Sequence, residues 1–261
     1  MPVFFVSSTT IQHHRILLTG SLYTHIVKSL RVRPGQSIQV CDEQRQRHSV
    51  EVIDISKQTL CGHIQDTVIG PPQEHPTITL AQSVLKGDHM AWVIQKSTEL
   101  GVHTIVPIIS ERVQSRSGNS SMISLHQRWQ RIALEAAQQS ERWDFPTILE
   151  PQPFHTFLLT LSETQNNLIL VEREEPAVPN TATEHNQQFS KNQNVVLTIG
   201  PEGGWSQAEI QDAENSGMRK VTLGKKILRS ETAAIAGIVM IQERFQHMRF
   251  TTMDTKGPSS S

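Results

Sequence analysis

The stretch that decides the fold reads Asn194-Val195-Val196-Leu197-Thr198-Ile199-Gly200-Pro201-Glu202-Gly203-Gly204-Trp205-Ser206-Gln207-Ala208-Glu209. An apolar, β-branched run meets a glycine-rich turn, and Ser206-x-x-Glu209 then opens a helix as a capping box. The pattern predicts a buried strand at 194–199, a tight turn at 200–204 and a helix at 206–215 closed by Gly217. Glycines at such a turn let the backbone approach a flat ligand and offer it free N–H and C=O groups. The turn carries neither G-x-G-x-x-G nor the P-loop pattern, which disfavours a nicotinamide-type dehydrogenase and a P-loop NTPase.

Working outward, the same alternation recurs. Downstream, a strand at 220–223 runs into Leu223-Gly224-Lys225-Lys226-Ile227-Leu228-Arg229-Ser230-Glu231-Thr232-Ala233-Ala234, with a helix expected over 232–248. Upstream come a strand at 78–85, a helix at 89–100 with Asp88 as N-cap and Gly101 beyond its end, a strand at 104–109, a helix at 124–139 and a strand at 168–171. Residues 172–194 read as a long polar surface loop. Strands separated by helices imply a parallel sheet covered on both faces. Its ligand is expected at the loops leaving the carboxyl ends of the strands, here 200–204 and 224–229. Ile227 and Leu228 suit the walls of an apolar slot for an adenine ring, and Arg229 suits an anionic partner. Glu231 at the start of the last helix has two readings: a catalytic carboxylate, or simple complement to the helix dipole.

Residues 1–70 read differently. Short strands are expected at 3–6, 37–40, 50–55 and 59–65, with a helix at 22–30 broken by Pro34-Gly35. A small barrel fits, and Gly70-Pro71-Pro72 with Pro76 marks a stiff linker. The expected division is 1–72, 73–250 and a disordered tail at 251–261. The chain has 261 residues, 24 Lys+Arg against 25 Asp+Glu and a formal net charge of -1. That balance excludes binding of nucleic acid by bulk charge, though not by a local basic face. Cys41 and Cys61 form neither a disulfide framework nor a zinc module. The scattered histidines have no metal-ligand spacing, so no metal is expected. With no signal peptide and no apolar run long enough to span a membrane, the expected compartment is the cytoplasm.

The two loops, taken in order, resemble those of the RsmE family of SPOUT-class methyltransferases. Leu85-Lys86-Gly87-Asp88-His89-Met90, Gln95-Lys96-Ser97-Thr98-Glu99-Leu100-Gly101-Val102, Ser110-Glu111-Arg112 and Arg128-Trp129 with Ile132-Ala133-x-Glu135-Ala136 resemble further segments of that family. His25 to Arg31 followed by Pro34-Gly35 resembles its N-terminal motif. Five departures stand out. Val3 stands near where the family often has a basic residue, and Gln138 where it has glutamate. Asp42-Glu43 replaces Asp-Gly in a hairpin, which must therefore turn differently. Glu141 precedes Arg142 where the family has glycine, and Lys226 stands where arginine is frequent.

The resemblance implies an α/β fold: a C-terminal parallel sheet with a trefoil knot (the SPOUT α/β knot) preceded by a small PUA-like β-barrel. It implies S-adenosylmethionine as cofactor, held by Leu197, Ile199, Gly200, Glu202, Gly203, Gly204, Leu223, Gly224, Ile227, Leu228, Thr232 and Ala233. It implies a homodimer through the knot domain, and methylation of N3 of one 16S ribosomal RNA uridine near the decoding centre of the small ribosomal subunit. Arg229 is then the candidate for stabilising charge on the acceptor base and Glu231 the candidate general base. His25, Lys28, Arg31, Arg33, Lys86, Arg112, Arg142 and Lys226 are candidate RNA contacts, with Arg45 and Arg47 as further phosphate trackers. The competing reading of the barrel arginines is a solvated strand edge that discourages pairing. The competing reading of the whole chain is a non-catalytic ribosome-assembly factor that keeps the fold.

Overall fold

The computed structural model describes residues 3–73, 75–113, 119–172 and 194–245. The expected tail and the long loop beyond Glu172 lie outside the described residues.

The first sheet contains β1 (Val3–Phe5), β2 (Ile11–Gln12), β3 (Arg15–Leu18), β4 (Ser37–Cys41), β5 (Gln46–Ile55) and β6 (Leu60–Ile69), in the order β1-β4-β5-β6-β3-β2. Alternate residues such as Ile16, Leu18, Ile38, Val40, Val50 and Val52 point into one core, which Tyr23 and Ile26 close. The β2–β3 hairpin has no counterpart among the expected strands. Its two-residue turn, His13-His14, takes positive φ at both positions (49° and 61°), where Asn-Gly or Gly-Gly is the usual signal. The expected helix at 22–30 is α1 (Gly20–Tyr23) continuing into a wider turn over Thr24–Ser29, where Leu30 N–H donates to His25 O at 3.1 Å. The Asp42-Glu43 hairpin turns with Arg45 in the left-handed region (φ 59°) and with Asp42 Oδ1 accepting from the N–H groups of Gln44 and Gln46, both at 2.9 Å.

The second sheet is parallel at every pairing. It holds β7 (Ile78–Ser83), β8 (Thr104–Ile109), β9 (Thr147–Ile148), β10 (Gln152–Pro153), β11 (Asn166–Leu170), β12 (Val195–Ile199) and β13 (Arg219–Val221), in the order β10-β8-β7-β12-β11-β13 with β9 beside β8. Helices α2 (His89–Glu99), α3 (Asn119–Gln139) and α6 (Ser230–Phe245) cover one face; α4 (Phe154–Leu158) and α5 (Gln207–Asn215) cover the other. In β12, Val195, Leu197 and Ile199 enter the first core and Val196 the second, as expected of a strand buried on both sides. Trp129 of α3 is core, whereas Trp92 is 42% exposed on α2.

The two sheets meet at the turn after α3, and this corrects part of the sequence reading. Arg142 is expected to contact RNA, but its side chain is only 10% exposed. Its guanidinium donates to Thr98 O (2.8 Å), Val102 O (2.9 Å) and Asp144 Oδ1 (2.7 Å), closing the carboxyl end of α2. Arg47 is likewise occupied: it lies 3.9 Å over the Trp143 ring and donates to Glu141 O at 2.9 Å, while Arg45 pairs with Asp144. Phe5 meets Phe145 edge-on at 5.1 Å between centroids. A cation packed against an aromatic face and bonded to a carbonyl holds two units together instead of tracking phosphate. Glu141, standing where the resemblance expects glycine, takes φ 53°.

Candidate functional site

The carboxyl ends of β7, β11, β12 and β13 open on one side of the parallel sheet, where loops 200–204 and 222–229 face each other across a cavity of about 690 Å³. Of the expected cofactor residues, Ile199, Gly200, Glu202, Gly203, Gly204, Leu223, Gly224, Ile227, Leu228 and Ala233 line it, together with Arg229 and Glu231. Leu197 and Thr232 do not. Leu197 faces α6, where a Cβ on Gly237 would come within 2.8 Å of its Cδ2, and Thr232 is exposed on the outer side of α6.

Packing fixes the glycine loop locally. A Cβ on Gly200 would fall 3.1 Å from the Trp205 indole. Trp205 is itself anchored: its Nε1 donates to Leu170 O at 3.0 Å and its ring lies on Phe154 at 4.8 Å. Gly204 takes φ 69° and Gly224 φ 74°, conformations that side chains resist. Arg112 Nη1 donates to Gly203 O at 2.9 Å, and Glu202 accepts from Lys86 N–H at 3.1 Å. The capping box is present: Ser206 Oγ accepts from Glu209 N–H, and the Glu209 carboxylate accepts from both Ser206 N–H and Glu111 N–H.

A buried chain of polar groups joins the two loops. Gln82, at the end of β7, donates through Nε2 to Ser230 Oγ (3.0 Å) and to Ser83 O (3.0 Å). Ser230 Oγ in turn donates to Gly200 O at 2.5 Å. The first residue of α6 thus holds the first carbonyl of the glycine turn. Sequence reasoning passed over Gln82 and Ser230, although a glutamine within a largely apolar strand is a usable signal, because buried polar groups need partners. It also passed over Glu172, which lies against Gly204, and His89, whose Nδ1 is 3.2 Å from Glu231 Oε1.

The lining is mixed in charge: Lys86, Arg112, Lys226 and Arg229 against Glu172, Glu202 and Glu231, with the apolar Ile227 side chain 74% exposed at the mouth. Such a combination orients a polar ligand of moderate size while gripping an apolar ring. His25 and Lys28 sit elsewhere, exposed on the helical turn over Thr24–Ser29, and Arg31 and Arg33 are exposed in the loop between it and β4. Among the described residues no group of three or more His, Cys, Asp or Glu can hold a metal, and no helix is long and apolar enough to cross a membrane.

Comparison with known proteins defines the class. The family description "RNA methyltransferase domain" matches residues 73–242, and "RNA methyltransferase PUA domain" matches residues 18–65. Ribosomal RNA small subunit methyltransferase E of Mesomycoplasma hyopneumoniae is 34% identical over 233 residues, which are 89% of this chain and 95% of that protein. The enzyme of the same name from Bacillus subtilis is 28% identical over 89% of this chain and 91% of its own. The crystal structure of a ribosomal RNA small subunit methyltransferase E from Neisseria gonorrhoeae bound to S-adenosyl methionine matches with a TM-score of 0.81 at 30% identity, covering 94% of this chain and 98% of that one. The chain belongs to the family of ribosomal RNA small subunit methyltransferase E.

Proposed function

We propose that this protein methylates ribosomal RNA of the small subunit using S-adenosylmethionine, with N3 of one 16S uridine as the acceptor. The observation that carries the reading is the convergence of the two predicted loops on one cavity with Arg229 and Glu231 on its wall. The residues present fit the cofactor. The cavity, at about 690 Å³, falls within the roughly 300–1,000 Å³ of small-molecule sites. Glycines 200, 203, 204 and 224 bring the backbone to its wall with no side chain between, and Ile227 and Leu228 supply an apolar slot. When bound, the cofactor supplies a methyl group on a positively charged sulfur, an excellent leaving group.

The protein's own work is then positioning, worth about 7–11 kcal/mol for well-oriented reactants. The N3 atom lies on the Watson–Crick edge, so the acceptor must be unpaired or extruded first. Arg229 stabilises the charge that develops on O2 and O4 as N3 loses its proton. Lys86, Arg112 and Lys226 at the cavity, with His25, Lys28, Arg31 and Arg33 on the first domain, hold phosphates. The same reading includes a division near residues 70–76, a trefoil knot, a homodimer through the second domain and a cytoplasmic location.

The test is nucleoside mass mapping of small-subunit RNA from cells with and without the gene. The expected result is one N3-methyluridine that disappears on deletion and returns on complementation. An unchanged methylation map overturns the proposal.

A further inference from the structure

We propose that His89 is the general base of this reaction, taking the N3 proton of the acceptor, with Glu231 as the residue that orients it; the inference rests on the function proposed above. His89 opens α2 and Glu231 is the second residue of α6, so two helix starts bring them together on the wall of the cavity. His89 Nδ1 lies 3.2 Å from Glu231 Oε1, and the two side chains are 49% and 14% exposed. The contact decides the tautomer. A carboxylate accepts, so Nδ1 carries the proton it donates and the lone pair of Nε2 is left as an acceptor.

His89 stands at the N-terminus of α2 and faces that of α6. The charged groups around the cavity are Lys86 before α2, Arg112 after β8, Glu172 after β11, Glu202 in the glycine loop, Lys226 and Arg229 after β13, and Glu231 on α6. Asp88, next to His89, is paired with Arg128 of α3 at 2.8 Å. Glu231, 3.2 Å away, is placed to stabilise the imidazolium that forms in the step. In the step itself the N3–H bond breaks and an Nε2–H bond forms. The electron pair stays on N3, spread over O2 and O4 beside Arg229, and is free to bond the incoming methyl group. The imidazolium then returns its proton to water. Glu231 thus serves as a positioning residue and not as the base.

The test uses small subunits isolated from cells lacking the gene and follows single-turnover methyl transfer as a function of pH. Wild type is expected to show an acid limb, because only a ring with a free Nε2 lone pair takes the proton. His89→Gln is expected to slow transfer by about 10²–10⁴-fold, lose that limb and regain rate as pH rises, with its S-adenosylmethionine affinity by calorimetry within about threefold of wild type. Added imidazole is expected to restore transfer to His89→Gly in proportion to its concentration. A His89→Gln rate and acid limb like those of wild type overturn the inference and leave the proposed function standing. A fall in rate matched by an equal fall in cofactor affinity also overturns it. A wild-type protein that leaves uridine N3 unmodified overturns the function and the inference together.

Discussion

Gly200 shows the site at the scale of one residue. A Cβ here would stand 3.1 Å from Trp205, so a side chain fits only if the indole gives way, and Trp205 is held from two other sides. The glycine is thus an effect of packing as well as a means of exposing backbone to a ligand. Cys41 shows what burial does to chemistry. Its thiol is pushed up to about 11 from 9.0, mainly by desolvation, against the lowering effect of Arg47. Because the unfolded chain loses that proton first, the associated stability is whole below 9.0 and declines as pH rises toward about 11. A thiol reagent at about pH 8 is expected to modify half-buried Cys61 well before Cys41, since reactivity follows exposure and thiolate fraction. Peptide mass analysis of briefly alkylated native protein checks the order.

Elements that announce themselves by local pattern were legible in the sequence. The strand, turn and capped helix around residues 194–215 needed only an apolar run, glycines and Ser206-x-x-Glu209. The elements that escaped were short or lacked their usual residues. The β2–β3 hairpin turns on two histidines instead of glycine or asparagine, and β9, β10 and α4 span two, two and five residues, too few for periodicity to register. The site was legible as two loops, but the link between them was not. Gln82 and Ser230 meet across 148 positions, a relation that only the folded sheet creates. Ser230→Ala leaves the Gln82 amide and the Gly200 carbonyl short of a partner. It is expected to cost about 1–3 kcal/mol in thermal unfolding and to weaken cofactor binding roughly tenfold. Ser230→Thr, which keeps the hydroxyl, is expected to retain both properties.

At the scale of the molecule, the arginines nearest the joint bind the two sheets together, whereas the basic residues around 25–33 are exposed, as the proposed RNA contacts require. A net charge of -1 fits a protein that recognises one folded site through few contacts, since non-specific affinity grows with phosphates neutralised. Trp143 is the keystone of the joint, covered by Arg47 and by Gly70, whose Cβ would clash with it at 2.8 Å. Trp143→Ala is expected to destabilise the protein by about 2–3 kcal/mol, somewhat less than a fully buried tryptophan costs. It should also speed limited proteolysis around residues 70–76 while leaving the cofactor cavity intact. The central claim is that the loops at 200–204 and 222–229 form one S-adenosylmethionine site. Calorimetric titration of wild type and Gly200→Ala tests it most directly. The account predicts one bound cofactor per chain for wild type and loss of binding in a folded Gly200→Ala protein; a folded wild type that binds none, or a variant that binds equally well, contradicts it.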